Sequence, residues 1–293
     1  DEIIISEMEH HSNMVPWQMC CENSGAILKV IPITDEGELD LQIFEELISS
    51  KTKLVAVTHV SNSLGTINPI EKIIELSHAN KAEVLIDGAQ AAAHLTIDVQ
   101  NLNVDYYCFS AHKLYGPTGV GVLYGKEKLL NMLPPYQGGG EMIQDVSIEK
   151  TTYACLPHKF EAGTPNIAGV IAFKKALDFI NETGLEKIKA HEDSLLKYAL
   201  EKLNAIDNLK IVGTAKNKSA IISFTIKNIH HYDLGLILDK MGVAIRTGHH
   251  CTQPIMKKFN IPGTSRISFA HYNTISEIDC FLHSLKKAIK MLS

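Results

Sequence analysis

CFSAHKLYGPTGVG, residues 108–121, decides the fold of this chain. Val104, Tyr106, Tyr107 and Phe109 lead in as a short buried strand would. Polarity then switches at Ser110, Ala111, His112 and Lys113, and Gly116, Pro117 and Gly119 turn the backbone sharply. A second short apolar strand, Val120–Tyr124, follows at once. Lys113 is thus expected at the mouth of a sheet, where loss of solvent lowers a lysine's pKa and makes its amine nucleophilic. A lysine taken alone is far more often a surface residue, so its neighbours must decide.

The main neighbour lies upstream, in VLIDGAQAAAH, residues 84–94. Val84–Ile86 reads as a buried strand ended by Asp87, with Gly88 and a helix-like alanine run after it. An acid at the carboxyl end of an apolar strand points into the crevice where open α/β sheets bind ligands. Strand–Asp–Gly–Ala–Gln followed by strand–Ser–x–His–Lys is the arrangement a pyridoxal phosphate enzyme needs. Lys113 would capture the aldehyde, and Asp87 would pair with the pyridinium nitrogen and keep the ring an electron sink. Gln90 could hydrogen-bond the ring hydroxyl, and Ser110 and His112 the phosphate.

Composition sets the frame. The chain has 293 residues, 45% of them hydrophobic, enough for a sizeable core and one or two domains. Net charge is −5 with no long basic run, so nothing points to nucleic acid or an anionic membrane surface. No apolar run approaches a membrane span. The six cysteines (20, 21, 108, 155, 251 and 280) show no CxxC pair and no disulfide-scaffold spacing, so a reducing cytoplasm is expected.

The same residues resemble a known family. EMEHHSNMVPWQ (7–18), VSNSLGT (60–66), DGAQ (87–90), SAHKLYGPTGVG (110–121), FEAGTPN (160–166), RTGHHCTQP (246–254) and SRISFAHYNT (265–274) together resemble the aminotransferase class V group of fold-type I pyridoxal phosphate enzymes. Within it, the match is to the SufS-like (group II) cysteine desulfurases. The resemblance implies an α/β large domain, residues 1–182, with a mostly parallel sheet of the seven-stranded type lacking its first strand. It also implies a smaller α+β domain, residues 183–293, carrying the nucleophilic cysteine. Against the family's length, roughly a quarter is expected to be missing at the N-terminus, including a Gly-Thr turn that holds the phosphate.

The resemblance also assigns roles. His10 would stack on the pyridine ring and shuttle a proton, both suited to a flat imidazole that titrates near neutrality. By local pattern alone, His10 and His11 are polar residues at the end of strand Ile3–Ile5. Asn62 would sit beside the ring oxygen and the substrate carboxylate; locally it reads equally as a turn residue before Gly65. Thr164 would reach the phosphate of the other subunit of a homodimer, whereas Thr164-Pro165 by itself reads as a helix N-cap and N1 pair. Arg266, after a Gly263-Thr264-Ser265 turn, matches the arginine that grips the substrate carboxylate, and Arg246 a second active-site arginine.

Cys251 stands between a strand and a helix in Thr-Gly-His-His-Cys. A zinc site with His249 and His250, an inert buried thiol and a nucleophile with nearby histidines are the three readings. The resemblance favours the last. The implied reaction converts L-cysteine to L-alanine and passes sulfur from Cys251 to a SufE- or SufU-type acceptor for iron–sulfur cluster assembly. L-selenocysteine lyase, a transaminase, a non-catalytic truncated subunit and a metal-binding module stay open as alternatives.

The remaining expectations are structural. Asn13–Glu22 reads as a helix that buries Cys20 and Cys21, and Asp40–Ser49 as an amphipathic helix. PPYQGGGEM reads as a loop with no P-loop Lys-Ser/Thr. Asn166–Glu182 and Leu185–Ala205 read as helices parted at Thr183-Gly184, and Thr274–Leu292 as a helix with a capping box.

Overall fold

The computed structural model describes all 293 residues. The first half alternates strands and helices: β1 (Glu2–Ser6), α1 (Val15–Ser24), β2 (Ile27–Ile31), α2 (Leu41–Leu47), β3 (Thr52–Thr58), α3 (Ile70–Ala79), β4 (Glu83–Asp87), β5 (Tyr106–Ser110), β6 (Gly121–Gly125) and α4 (Glu127–Met132). The six strands form one sheet in the order β2-β1-β3-β4-β5-β6. All neighbours are parallel except β5 and β6, which run antiparallel. Parallel strands covered on both faces read as near-continuous apolar runs, as Ile3–Ile5 and Val84–Ile86 do.

Alternation within each strand sorts the two faces. Ile4, Val55, Val57, Val84 and Ile86 pack with Phe44 of α2 and Ile70 and Ile73 of α3 in the largest core cluster. Ile3, Ile5 and Ala56 face the other way, with Cys21 of α1. The helix ends have local causes. Pro16 lies in the first turn of α1, and Gly25 closes it in the left-handed region at φ 73°. Asp40 caps α2 by accepting from Ile43 N at 3.1 Å.

A hairpin, β7 (Ile143–Val146) and β8 (Thr151–Tyr153), leads to two long helices, α5 (Ile167–Thr183) and α6 (Leu185–Asn204). The C-terminal part comprises β9 (Leu209–Val212), β10 (Ile221–Ile226), α7 (His231–Lys240), β11 (Arg246–Gly248), α8 (Gln253–Lys258), β12 (Thr264–Ser268) and α9 (Ile275–Leu292). Its four strands form an antiparallel sheet in the order β11-β12-β10-β9. A separate core of 17 buried residues joins this sheet to α6, α7 and α9. The capping box expected at the start of α9 is present, with Thr274 and Glu277 bonding reciprocally. No helix is long and apolar enough to cross a membrane.

Several local expectations differ from the structure. The alanine run after Gly88 forms successive turns rather than a helix: Asp87 Oδ1 accepts from Ala89 N at 2.9 Å, which holds the chain in a turn. The cap of α5 is Asn166, which accepts from Gly169 N at 3.0 Å, so Thr164 is not the N-cap. Cys20 faces solvent while Cys21 is buried, because consecutive helix residues cannot share one face. The hairpin β7–β8 follows the Gly138–Gly140 stretch where the pattern shows only a loop.

The two sheets meet along residues 61–68. Ser219 N donates to Gly65 O (2.8 Å), Ile67 N to Asn217 O (3.0 Å) and Ser223 Oγ to Ser63 O (2.5 Å). Lys218 Nζ donates to Leu64 O and Gly213 O. Gly65 has φ 76°, and a Cβ there would lie 2.7 Å from Ile221 O, so only glycine permits this approach.

Candidate active site

Three strand ends of the first sheet and one strand pair of the second converge on a single crevice. Asp87 ends β4 and is buried. One of its oxygens is held by Ala89 N; the other takes no hydrogen bond from the chain. Lys113 closes the single 3₁₀ turn Ala111–Lys113 that follows β5. Burial lowers its pKa, and the arginines 266 and 246 push the same way against the attraction of Asp87 and Cys251. Half-buried Ser110 and exposed His112 lie on the same turn, and half-buried Gln90 on the turn after Asp87.

His10 sits just beyond β1. Its Nδ1 accepts from Ser12 N at 3.1 Å and lies 2.7 Å from Ser12 Oγ. A backbone N–H can only donate, so the ring proton is on Nε2. Burial lowers the His10 pKa, and Lys113 adds to this while Asp87 opposes it, which places the three groups in one electrostatic neighbourhood.

Cys251, half-buried, stands in a tight turn between β11 and α8. His250 and Cys251 both adopt left-handed backbone, at φ 54° and 58°. Each such non-glycine residue costs roughly 1–2 kcal/mol, so neighbours must hold the turn. Asn62 Nδ2 donates to His250 O at 2.7 Å, His249 Nδ1 accepts from Cys251 N at 3.1 Å, and His11 N donates to Cys251 O at 2.9 Å. The buried His250 ring pairs Nε2 with Thr264 Oγ1 at 2.8 Å. Burial, with Arg266 and Arg246 nearby, drives its pKa down to about 3, so the ring is neutral.

Arg246 and Arg266 lie directly opposite each other across β11 and β12. Like charges in that position repel, and neither arginine has an acidic partner anywhere in the chain. Arg266 is two-thirds or more shielded, and burial followed by Arg246 lowers its pKa to about 10. One nitrogen, Nη1, donates to Asn62 O at 2.7 Å; Nε is buried without a partner. Two unpaired guanidinium groups on adjacent strands form a site for an anion such as a carboxylate.

The structure thus brings together Lys113, Asp87, His10, Asn62, Arg246, Arg266 and Cys251. Exposed Thr164 lies apart, on the surface ahead of α5. Three contributors escaped sequence reading. His11 accepts from Gln253 N at 3.2 Å through Nε2 and its ring lies 5.8 Å from that of His249, so it braces the cysteine turn. Thr264 and the buried carboxyl of Glu9 are the others. Only the HH doublet could have flagged His11, because its partners lie about 240 residues away in sequence. Nowhere do three His, Cys, Asp or Glu side chains converge as metal ligands would: His249 and His250 point to Cys251 N and to Thr264.

Comparison with known proteins gives one answer. Residues 1–281 match the family described as aminotransferase class-V. A cysteine desulfurase of Dickeya dadantii is 48% identical over 293 residues, covering 100% of this chain and 71% of that protein. A relative from Mycolicibacterium paratuberculosis is also 48% identical, over 287 residues, but the chain spans only 42% of its length. Among solved structures, the cysteine desulfurase CsdA from Escherichia coli superposes with a TM-score of 0.96 at 37% identity, covering 100% of this chain and 73% of that one. The cysteine desulfurase of Thermococcus onnurineus NA1 gives 0.96 at 38% identity with the same coverage. The fold is therefore shared with solved cysteine desulfurases, and the chain belongs to the aminotransferase class V family, among its cysteine desulfurases.

Proposed function

We propose that this chain holds pyridoxal 5'-phosphate in the crevice and converts L-cysteine to L-alanine, leaving the sulfur as a persulfide on Cys251. The observation that carries the reading is the convergence of Lys113, Asp87 and Cys251 beside two arginines that lack acidic partners. The residues fit the cofactor. Asp87 keeps one oxygen uncommitted and lies within electrostatic reach of Lys113, which is unpaired and held below the usual lysine pKa. When bound, the cofactor supplies an aldehyde that captures amines and a pyridinium ring that draws electrons from the substrate's α-carbon.

Asp87 would hold the ring nitrogen, and Gln90 and Asn62 the ring oxygen. Ser110, His112 and Thr164 of a second copy would hold the phosphate. Arg266 and Arg246 grip the substrate carboxylate. Lys113, with its lowered pKa, takes the proton from the α-carbon. The Cys251 thiolate attacks the substrate sulfur: the S–S bond forms as the carbon–sulfur bond breaks, and the electron pair stays with the carbon. The proton that completes the methyl group of alanine would come through His10 or through Lys113, which has taken one from the α-carbon. The sum, two thiols giving one persulfide and one methyl group, balances without an added oxidant.

The finer family features have their own support. Cys251 sits on a short turn tied at His249, His250 and Cys251 itself, so the thiol cannot travel far and an acceptor must come to it. That favours the SufS-like group and a SufE- or SufU-type acceptor serving iron–sulfur cluster assembly. Exposed Ile167, Val170 and Ile171 on α5, with Tyr136 and Ile148, form apolar surface of the kind a homodimer covers. The six free thiols fit the cytoplasm. The second core lies wholly after Gly184 and most of the first lies before it, which supports domains at 1–182 and 183–293, with Val212, Ile255 and Met256 packing back into the first core.

The test is alanine and persulfide formation from L-cysteine with added pyridoxal phosphate, compared with Cys251→Ser. Alanine that depends on Cys251 is expected. An unaffected rate in the serine variant would remove Cys251 as the sulfur acceptor and favour a lyase acting on selenocysteine.

A further inference from the structure

A buried acid just beyond the end of β1 takes no part in the chemistry above. Glu9 is fully buried, and its Oε1 meets Ser6 Oγ at 2.5 Å and accepts from Thr58 N at 3.0 Å. Its Oε2 accepts from Asn13 Nδ2 at 2.6 Å. Asn13, also buried, uses its other amide atom, Oδ1, to accept from Trp17 Nε1 at 3.1 Å, while Asn13 N donates to His10 O at 2.8 Å. One chain of hydrogen bonds therefore runs from β3 through Glu9 and Asn13 to α1 and encloses His10. The side-chain bonds of His10 itself go only to Ser12 within the same turn. Toward the sheet, the turn is anchored by Glu9 and Asn13.

We propose that Glu9 and Asn13 form a positioning pair that fixes His10 against the crevice, a role that rests on the desulfurase reading above. The titratable groups facing Glu9 are Asp87 at the end of β4 and Cys108 on β5. Neither hydrogen-bonds to it, so the donor–acceptor match with Asn13 fixes the geometry. An acid here serves by accepting on both oxygens, and glutamine cannot do the same. Its carbonyl can keep Ser6 and Thr58, but its amide nitrogen then meets Asn13 Nδ2, donor against donor.

That mismatch defines the experiment. Glu9→Gln and Asn13→Asp each break the match. The double variant restores it with the roles exchanged: the introduced amide would donate to the introduced carboxylate, whose other oxygen still accepts from Trp17. Misplacing a group that moves a proton costs rate more than binding, so each single variant is expected to lose about tenfold or more in kcat with KM within about threefold, and the double to recover most of it. Trp17 is the only tryptophan, so its emission reports the pair without substrate or cofactor, shifting in the singles and returning in the double. Singles with full kcat and unmoved emission overturn the proposal, and so does a folded double that stays tenfold down. If a single variant does not fold, the folded double carries the same comparison. If the wild-type chain makes no alanine, the desulfurase reading fails by itself. The His10 ring resonance, assigned by its loss in His10→Gln, then tests the pair: it shifts in the singles and returns in the double, or the pair does not position His10.

Discussion

Thr264→Val isolates the hold on the cysteine turn from the chemistry of the cofactor pocket. The substitution keeps the shape of a fully buried residue on β12 and removes one hydroxyl. That hydroxyl is the only partner of the His250 ring, whose Nδ1 is already buried without one. Leaving a buried polar ring unsatisfied costs about 1–3 kcal/mol. The same turn carries two left-handed residues, His250 and Cys251, which together cost about 2–4 kcal/mol. Because the lost bond and the strain are of similar size, the turn is expected to relax and to move the thiol. Stability should fall by about 1–3 kcal/mol, or about 2–6 °C in Tm for a chain of this size. A displacement near 1 Å lowers the rate about a hundredfold. The assay is a thermal melt together with persulfide formation on Cys251 and the cofactor's visible absorption. Absorption should be unchanged, because Lys113 and Asp87 are not touched. A variant that melts within about 1 °C of wild type and forms persulfide at the full rate would refute the claim that Thr264 and His250 hold the strained turn.

Burial raises the Glu9 pKa from 4.5 to about 8, so from pH 4.5 to 8 the folded chain keeps a proton that the unfolded chain loses. Stability from this group is present in full below pH 4.5 and falls as pH rises through that window; Glu9→Gln should remove the slope in pH-dependent urea unfolding, and an unchanged slope would count against a buried neutral acid. Gly88→Ala puts a Cβ 2.0 Å from Tyr107 Cε1 and 2.4 Å from its hydroxyl, which should destabilise by about 1–3 kcal/mol and weaken cofactor binding by shifting Asp87. A wild-type melt would show that the turn has room. Lys113→Ala should abolish covalent retention of pyridoxal phosphate after borohydride reduction, while retention at the wild-type level would move the attachment site to another lysine.

The strands of the first sheet, their alternation with helices, and the chemistry at the carboxyl ends of β4 and β5 are legible in the linear chain, whereas the hairpin β7–β8 is not. Those features are local. The apolar run Val84–Ile86 ended by Asp87, or a polar turn after Phe109 closed by glycine and proline, is recorded in adjacent residues, and adjacent residues set backbone preference. Glu277 three positions after Thr274 is legible for the same reason. Caps that compete within two or three residues were less legible: Asn166 took the role expected of Thr164.

What lies across the seam is settled by packing. Nothing near Asn62 says that its side chain will hold the carbonyl of His250, 188 residues away, or that its own carbonyl will receive Arg266. The facing of Arg246 and Arg266 depends on the antiparallel register of β11 and β12, and the bracing of Cys251 by His11 on the docking of the second sheet against the first. Glu9 reads in sequence as one more polar residue after a strand; only packing shows that it is enclosed and bonded on both oxygens. These contacts join residues whose separation along the chain carries no local signal, so they exist only once both cores have formed and fixed the two sheets against each other.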